Sequence, residues 1–188
     1  MLVVLGLGNP GDRYSGTRHN VGKNAVTALA GRLGLRFKPG AGEFLFAEDP
    51  SRSLILAVNT TYMNSSGVSA VHLMECFGTE AAGLLVVCDD FNIPFRTLRI
   101  RCRGSDGGHN GLGSIIYSMR SEDFPRLRLG IGPVPAGVDP ADFVLGEFAE
   151  EEVPYLAAIS EAAGEAVLLA AGEGVERAMN EYNNRLVE

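Results

Sequence analysis

Three apolar runs, Leu2 to Leu7, Leu54 to Val58 and Leu84 to Cys88, decide what this chain can fold into. None alternates with polar residues, so each is apolar on both faces, as a central strand covered by helices is. Helical periodicity follows the first run, with Val21, Ala25, Val26, Leu29, Ala30 and Leu33 on one face. The same reasoning predicts strands near 2–7, 43–48, 53–59, 84–88, 96–103 and 126–132, and helices near 20–34, 65–77, 111–120, 150–171 and 174–186. A hairpin around Asp49-Pro50-Ser51 adds an antiparallel pair. The expected fold class is therefore α/β, a single domain over residues 1–188 with a twisted mixed β-sheet flanked by helices. A chain of 188 residues with 46% hydrophobic content can bury a core without a staple, removing about 70% of its unfolded surface from water. Pro133 to Pro140, with three prolines and Gly137, reads as a mobile loop. Residues 133–148 are expected to form a lid and 150–188 the C-terminal helices.

The three cysteines, Cys76, Cys88 and Cys102, are odd in number and each sits in an apolar or strand-like run. Buried free thiols in a reducing compartment are expected. The start Met1-Leu2-Val3 has no basic leader, and no apolar run approaches 18 residues, so the expectation is a cytoplasmic monomer with no membrane association. Net charge is −7, but residues 1–138 carry +3 and residues 139–188 carry −10. Arg99, Arg101 and Arg103 share one strand face, and Arg126 and Arg128 repeat the spacing. Such a row can track a phosphate backbone, or it can simply keep an edge strand in water. Pattern alone leaves both open.

Gly6-x-Gly8-x-x-Gly11 after a strand satisfies the dinucleotide-binding fingerprint. That fold needs its helix to begin inside the motif and an acid about 20 residues further on. Here Pro10 and the run Asp12 to Gly16 read as loop, and residues 25 to 35 contain no carboxylate. A phosphate loop over Gly16 to Lys23 fails too: five residues separate the glycines and Asn24 follows the lysine where a hydroxyl is needed. A nucleotide cofactor is disfavoured.

Each apolar run gives way to polar residues: Asn9 after the first, Asn59 to Asn64 after the second, Asp89 and Asp90 after the third. In parallel α/β sheets ligands bind at these strand ends. Gly107-Gly108-His109-Asn110-Gly111 could bring further donors to the same cleft. No Gly-x-Ser-x-Gly elbow, His-Glu-x-x-His or Cys-x-x-Cys spacing occurs, so serine chemistry and zinc lack support and no metal is expected. A histidine with a carboxylate remains, His19 with Asp89 or Asp90, which can take a proton from attacking water. Blander roles compete: Asn64 as a helix cap, Asn9 as turn chemistry, Asp89 as a strand-end cap, His72 as a structural helix residue. His109 stays open. Small hydrolase and RNA-binding domain are unresolved at this point.

Gly6 to Gly11, Tyr14, Thr17-Arg18-His19-Asn20-Val21-Gly22, Tyr62-Met63-Asn64-x-Ser66-Gly67, Asp89-Asp90, Gly107 to Leu112 and Arg126-Leu127-Arg128-x-Gly130-Ile131-Gly132 together resemble bacterial peptidyl-tRNA hydrolase. The blocks agree in order and spacing from residue 2 to about 146, whereas the C-terminal helices with Asn180 and Asn184 match more loosely. The resemblance implies cleavage of the ester between a peptide and the terminal ribose of tRNA, with no cofactor, to recycle tRNA in translation. It implies His19 as catalytic base, Asp89 as its partner, and Asn9 as the residue that separates blocked from free aminoacyl groups. Tyr14, Tyr62, Asn64 and Asn110 correspond to positions that contact the substrate, with His109 beside them. Arg99, Arg101 and Arg128 correspond to positions that engage tRNA phosphate.

Two departures stand out. Gly104-Ser105-Asp106 replaces a further glycine and histidine, placing an acid near the expected RNA path, and no Lys or Arg lies between Gly132 and Arg177. Both bear on binding more than on chemistry. A non-catalytic RNA-binding relative is the main alternative, and retention of Asn9, His19, Asn64, Asp89 and Asn110 together speaks against it.

Overall fold

The computed structural model describes residues 1–183 and 185–188; Asn184, and with it part of the last expected helix, lies outside the described residues. Strands β1 (Leu2–Gly6), β2 (Lys38–Pro39), β3 (Phe44–Asp49), β4 (Leu54–Asn59), β5 (Leu84–Pro94), β6 (Leu98–Arg101) and β7 (Arg126–Gly132) form one sheet in the order β2-β3-β4-β1-β5-β7-β6. The apolar runs are its parallel centre: β1 lies between β4 and β5, and β5 pairs with β7. The outer pairs β2 with β3, β3 with β4 and β6 with β7 are antiparallel. The mixed α/β sheet matches expectation. β5 runs past its apolar stretch because its polar end keeps pairing with β7 as far as Pro94, after a register irregularity beyond Asp90.

Helices α1 (Val21–Arg32), α2 (Ser66–Phe77), α3 (Asn110–Met119), α4 (Pro140–Leu145), α5 (Leu156–Glu173) and α6 (Val175–Tyr182) complete the chain. Alternation along β1 divides the core: Leu2 and Val4 pack with α1 and α5, while Val3, Leu5 and Leu7 pack with residues of α2 and α3. Close approach of α1 to the sheet requires glycine. A Cβ on Gly22 would sit 2.3 Å from the Val87 carbonyl oxygen, and one on Gly6 would sit 2.8 Å from the Gly22 carbonyl oxygen. Two glycines of the opening blocks thus serve helix-to-strand packing.

Two expectations are corrected. Cys88 is buried, but Cys76 and Cys102 are exposed, since an apolar sequence neighbourhood does not fix which face a side chain occupies. The stretch 133–148, expected as a lid without helix, contains α4 (Pro140–Leu145). Val153–Glu173 forms a helical stretch of 21 residues whose mean hydropathy of 1.3 and length would suffice to cross a membrane. Its alanine content raises that average, and Ile159, Ala163, Ala166, Val167 and Ala170 are buried in the core shared with α1.

Candidate active site

Beside the polar part of β5 lies a cavity of about 310 Å³ lined by His19, Asp89, Asp90, Phe91, Asp106 to Asn110, Asp139 to Ala141 and Val144. His19 sits on a 3-10 turn, Arg18–Asn20, placed just ahead of α1. Its Nδ1 lies 2.8 Å from Asp89 Oδ1. A carboxylate accepts, so Nδ1 donates and Nε2 keeps its lone pair. Of the two candidate acids, Asp89 is therefore the partner. Asp90 instead accepts from Arg128 Nη1 at 2.9 Å and from the Asn92 amide at 2.8 Å.

His109 completes the cluster. Its Nδ1 accepts from the amides of Gly111 and Leu112, at 3.1 and 3.2 Å, so the imidazole caps α3 where Ser or Asp usually would. A nitrogen that accepts carries no proton, so His109 holds its hydrogen on Nε2 and donates it to Asp89 Oδ1 at 3.0 Å. One buried carboxylate oxygen thus receives two imidazole N–H groups, with ring centroids 4.8 Å apart. Burial pushes the Asp89 carboxyl up, but the positive ends of the two imidazole N–H dipoles and the hydrogen bonds they donate outweigh it and hold the group well below the usual carboxylate range.

His19, Asp89 and His109 are also a potential metal-binding group among the described residues, their ligand atoms all within 4.8 Å of one another. The hydrogen bonds argue otherwise. A metal on His109 Nε2 would force its proton to Nδ1, against two backbone N–H donors, so the cluster is arranged for proton holding.

Asn9 is set by a second group of amides. Its backbone N–H donates to Asn20 Oδ1 at 2.8 Å and its carbonyl accepts from Asn20 Nδ2 at 2.9 Å. Its side-chain Oδ1 accepts from the Met63 amide at 2.8 Å, which leaves Nδ2 as the group on offer. Gly8 N–H donates to Asn59 Oδ1 at 3.0 Å, so the glycine loop is shaped by asparagines. A Cβ on Gly111 would lie 2.6 Å from Met63 Sδ and 2.9 Å from His109 Cε1, so the Asn9 and His109 groups flank one point. Tyr14 and Tyr62 meet edge to face at 6.4 Å, and Asn64 and Asn110 are exposed. Asn9, Tyr14, Tyr62 and Asn64 are not among the residues that line the cavity.

Arg99 and Arg101 lie outside the cavity on β6, where Arg101 is exposed and Arg99 half-buried. Arg128 has both terminal nitrogens engaged, with Asp90 and with the Ser105 carbonyl at 2.6 Å. Asp106 has a local use: Oδ1 accepts from the Gly108 amide at 2.7 Å and its carbonyl from His109 N–H at 3.2 Å, which fixes the glycine turn. A lid is expected over 133–148, but not the helix α4 within it. Its signals were present: Asp139 caps Ala141 N–H at 2.8 Å, Pro140 occupies the first turn and Gly146 ends the helix.

The sequence matches the family model described as Peptidyl-tRNA hydrolase over residues 3–188. The peptidyl-tRNA hydrolase of Chlorobaculum parvum is 44% identical, covering 97% of this chain and 98% of its own. That of Chloroflexus aurantiacus is also 44% identical, covering 97% of this chain and 99% of its own. Among solved structures, peptidyl-tRNA hydrolase from Acinetobacter baumannii superposes with a TM-score of 0.91 at 29% identity, covering 100% of this chain and 97% of that one. The cavity floored by His19, Asp89 and His109 therefore lies in a chain that belongs to the peptidyl-tRNA hydrolase family.

Proposed function

We propose that this chain cleaves the ester between a peptide's terminal carbonyl and the ribose of tRNA, in the cytoplasm and as a monomer, with His19 as general base. The observation that carries the reading is the bond from His19 Nδ1 to buried Asp89, which leaves Nε2 unprotonated on a residue lining the cavity. A water on that nitrogen loses its proton as its oxygen attacks the ester carbonyl. The imidazolium so formed is stabilised by Asp89 and returns the proton to the departing ribose oxygen, giving the tRNA hydroxyl and a peptide carboxylic acid that loses its own proton to water. His109 donates to the same Asp89 oxygen and fixes the carboxylate's direction.

Asn9 Nδ2 supplies an uncharged donor suited to a peptide carbonyl. A free α-ammonium would find no counter-charge in that amide, which favours blocked aminoacyl groups. Asn110, Asn64, Tyr14 and Tyr62 flank the acyl group and the tRNA end, and Arg99 and Arg101 meet phosphate with Arg128 behind them. Residues 133–148 act as the wall that opens and closes over the cavity, and 150–188 brace the sheet from behind. No step calls for a metal or a cofactor.

An N-blocked aminoacyl-tRNA tests the reading. The wild-type chain is expected to hydrolyse it and largely spare the unblocked form. His19→Ala should lower turnover by about 100-fold to 10,000-fold while tRNA binding persists. Unimpaired turnover in His19→Ala would remove the histidine from its role.

A further inference from the structure

The residue before His19 does something the ester chemistry does not require. Arg18 is buried, and its Nη1 donates to Glu152 Oε2 at 2.7 Å. Its guanidinium lies between two rings, 4.5 Å from the centroid of Phe143 and 4.8 Å from that of Phe148. Glu152 Oε2 also accepts from the Ala149 amide at 2.7 Å. The backbone joins in: Arg18 N–H donates to the Gly146 carbonyl at 2.9 Å, and Thr17 forms a strand-like bridge with Glu147. One short segment, 143–152, is thus fastened to the 3-10 turn of His19 by a flat cation, an ion pair and main-chain bonds.

Helix α4, whose C-terminal half opens this segment, carries the cavity wall. Pro140, Ala141 and Val144 of α4 line the cavity opposite the glycine turn. The residues just before it, 135–142, are exposed throughout. The wall therefore has an unanchored entry and an anchored exit, and the anchor is adjacent in sequence to the base.

We propose that Arg18 is a positioning residue that clamps the α4 wall to the His19 turn, so that wall and base hold one relative placement. The clamp rests on the ester-hydrolysis reading only for its kinetic consequence. Arginine suits the task because a planar guanidinium can stack on both rings while its edge pairs with a carboxylate; lysine can keep the charge but not the stack.

The test compares wild type with Arg18→Gln, Arg18→Lys, Glu152→Gln and Phe148→Leu, by amide hydrogen exchange and by kinetics on an N-blocked aminoacyl-tRNA. Arg18→Gln should speed exchange over 143–149 at least tenfold while β1 and β5 amides keep wild-type rates. It should raise KM several-fold, because the wall loosens, and also lower kcat about tenfold, because the His19 turn loses its brace. Arg18→Lys should recover part of both effects. Glu152→Gln should act in the same direction more weakly, and the double variant Arg18→Gln/Glu152→Gln should be no worse than Arg18→Gln alone. Unchanged exchange over 143–149 would overturn the clamp. Faster exchange with a raised KM and wild-type kcat would overturn its link to His19. If Arg18→Gln fails to fold, Arg18→Lys and Phe148→Leu carry the same comparison. If the wild-type chain does not cleave the ester, the functional reading fails, and exchange alone decides the clamp.

Discussion

Strands β6 and β7 lie side by side at one edge of the sheet, and each carries arginines two residues apart, Arg99 opposite Arg128 and Arg101 opposite Arg126. Like charges facing each other across a ladder repel. The sheet accommodates them by committing one strand's cations inward. Arg126 is 0% exposed, donates from Nη1 to the carbonyls of Gly104 and Ser105 and from Nη2 to that of Glu122, and stacks 4.3 Å from the Phe124 centroid. Arg128 is held by Asp90 and the Ser105 carbonyl. On β6, Arg99 and Arg101 have no ion pair among the described residues, and neither does Arg103 just beyond. Equal spacing in sequence therefore yields two jobs: β7 arginines hold the loop that leads to His109, and β6 arginines keep their charge outside.

The sharpest way to break that division is Arg126→Met. The variant takes the donor from the Gly104 carbonyl and one of two donors from those of Ser105 and Glu122, and it removes a fully buried stacked side chain, so roughly 3 kcal/mol of stability should go. Burial, then the neighbouring Arg128, already lower the Arg126 guanidinium's pKa, so the carbonyl cage is what makes the cation tolerable there. Urea unfolding is the measurement. A loss within about 0.5 kcal/mol, the range of an ordinary surface change, would mean that Arg126 is no more structural than its β6 neighbours.

Two adjacent acids at the end of β5 give the next test, because Asp89 serves the histidines and Asp90 serves Arg128. Asp89→Asn should cost about 2 kcal/mol at neutral pH, as hydrogen bonds to a charged group do. The folded Asp89 carboxyl is depressed, so its contribution is present above the ordinary carboxylate pKa and is lost as pH falls through the depressed value. The gap between wild type and Asp89→Asn should therefore be full at pH 7 and shrink below about pH 4. A gap that widens in acid would contradict the sign. Asp90→Asn should cost about 1 kcal/mol, since Arg128 keeps its bond to Ser105.

How far these roles could be read in advance differs by element. The apolar runs fixed the parallel centre because nothing else buries strands on both faces, and strand-end logic led to Asn9, His19 and Asp89. The choice of Asp89 over Asp90 came from the family resemblance and not from the strand pattern: both follow the same apolar run, and only the register of β7 brings Arg128 to the second. His109 stayed open because its use as a cap depends on the path of the glycine turn. Alternation placed Arg126 and Arg128 on one face correctly, but could not say that the loop 104–106 would fold over that face and take their donors. α4 was hidden by the prolines around it, although its cap residues were in view.

The β6 side of the comparison carries the smallest stability effect and the most informative binding effect. Keeping an edge strand from aggregating is the competing explanation for its arginines. That edge is already covered: Asn183 Oδ1 accepts from Ile100 N–H at 2.6 Å, its Nδ2 donates to the Ile100 carbonyl at 3.2 Å, and Leu186 bridges Thr97. With the edge closed, guanidiniums without an ion pair on the adjoining face are open to an anion. Arg99→Gln/Arg101→Gln should leave stability within about 0.5 kcal/mol of wild type. The same variant should weaken tRNA binding, and the slope of log affinity against log salt should become shallower by about 0.7 to 0.9 for each phosphate that is no longer neutralised. Affinity measured between low and moderate salt separates the cases: a slope equal to that of wild type would mean that these two arginines touch no phosphate, whatever their exposure.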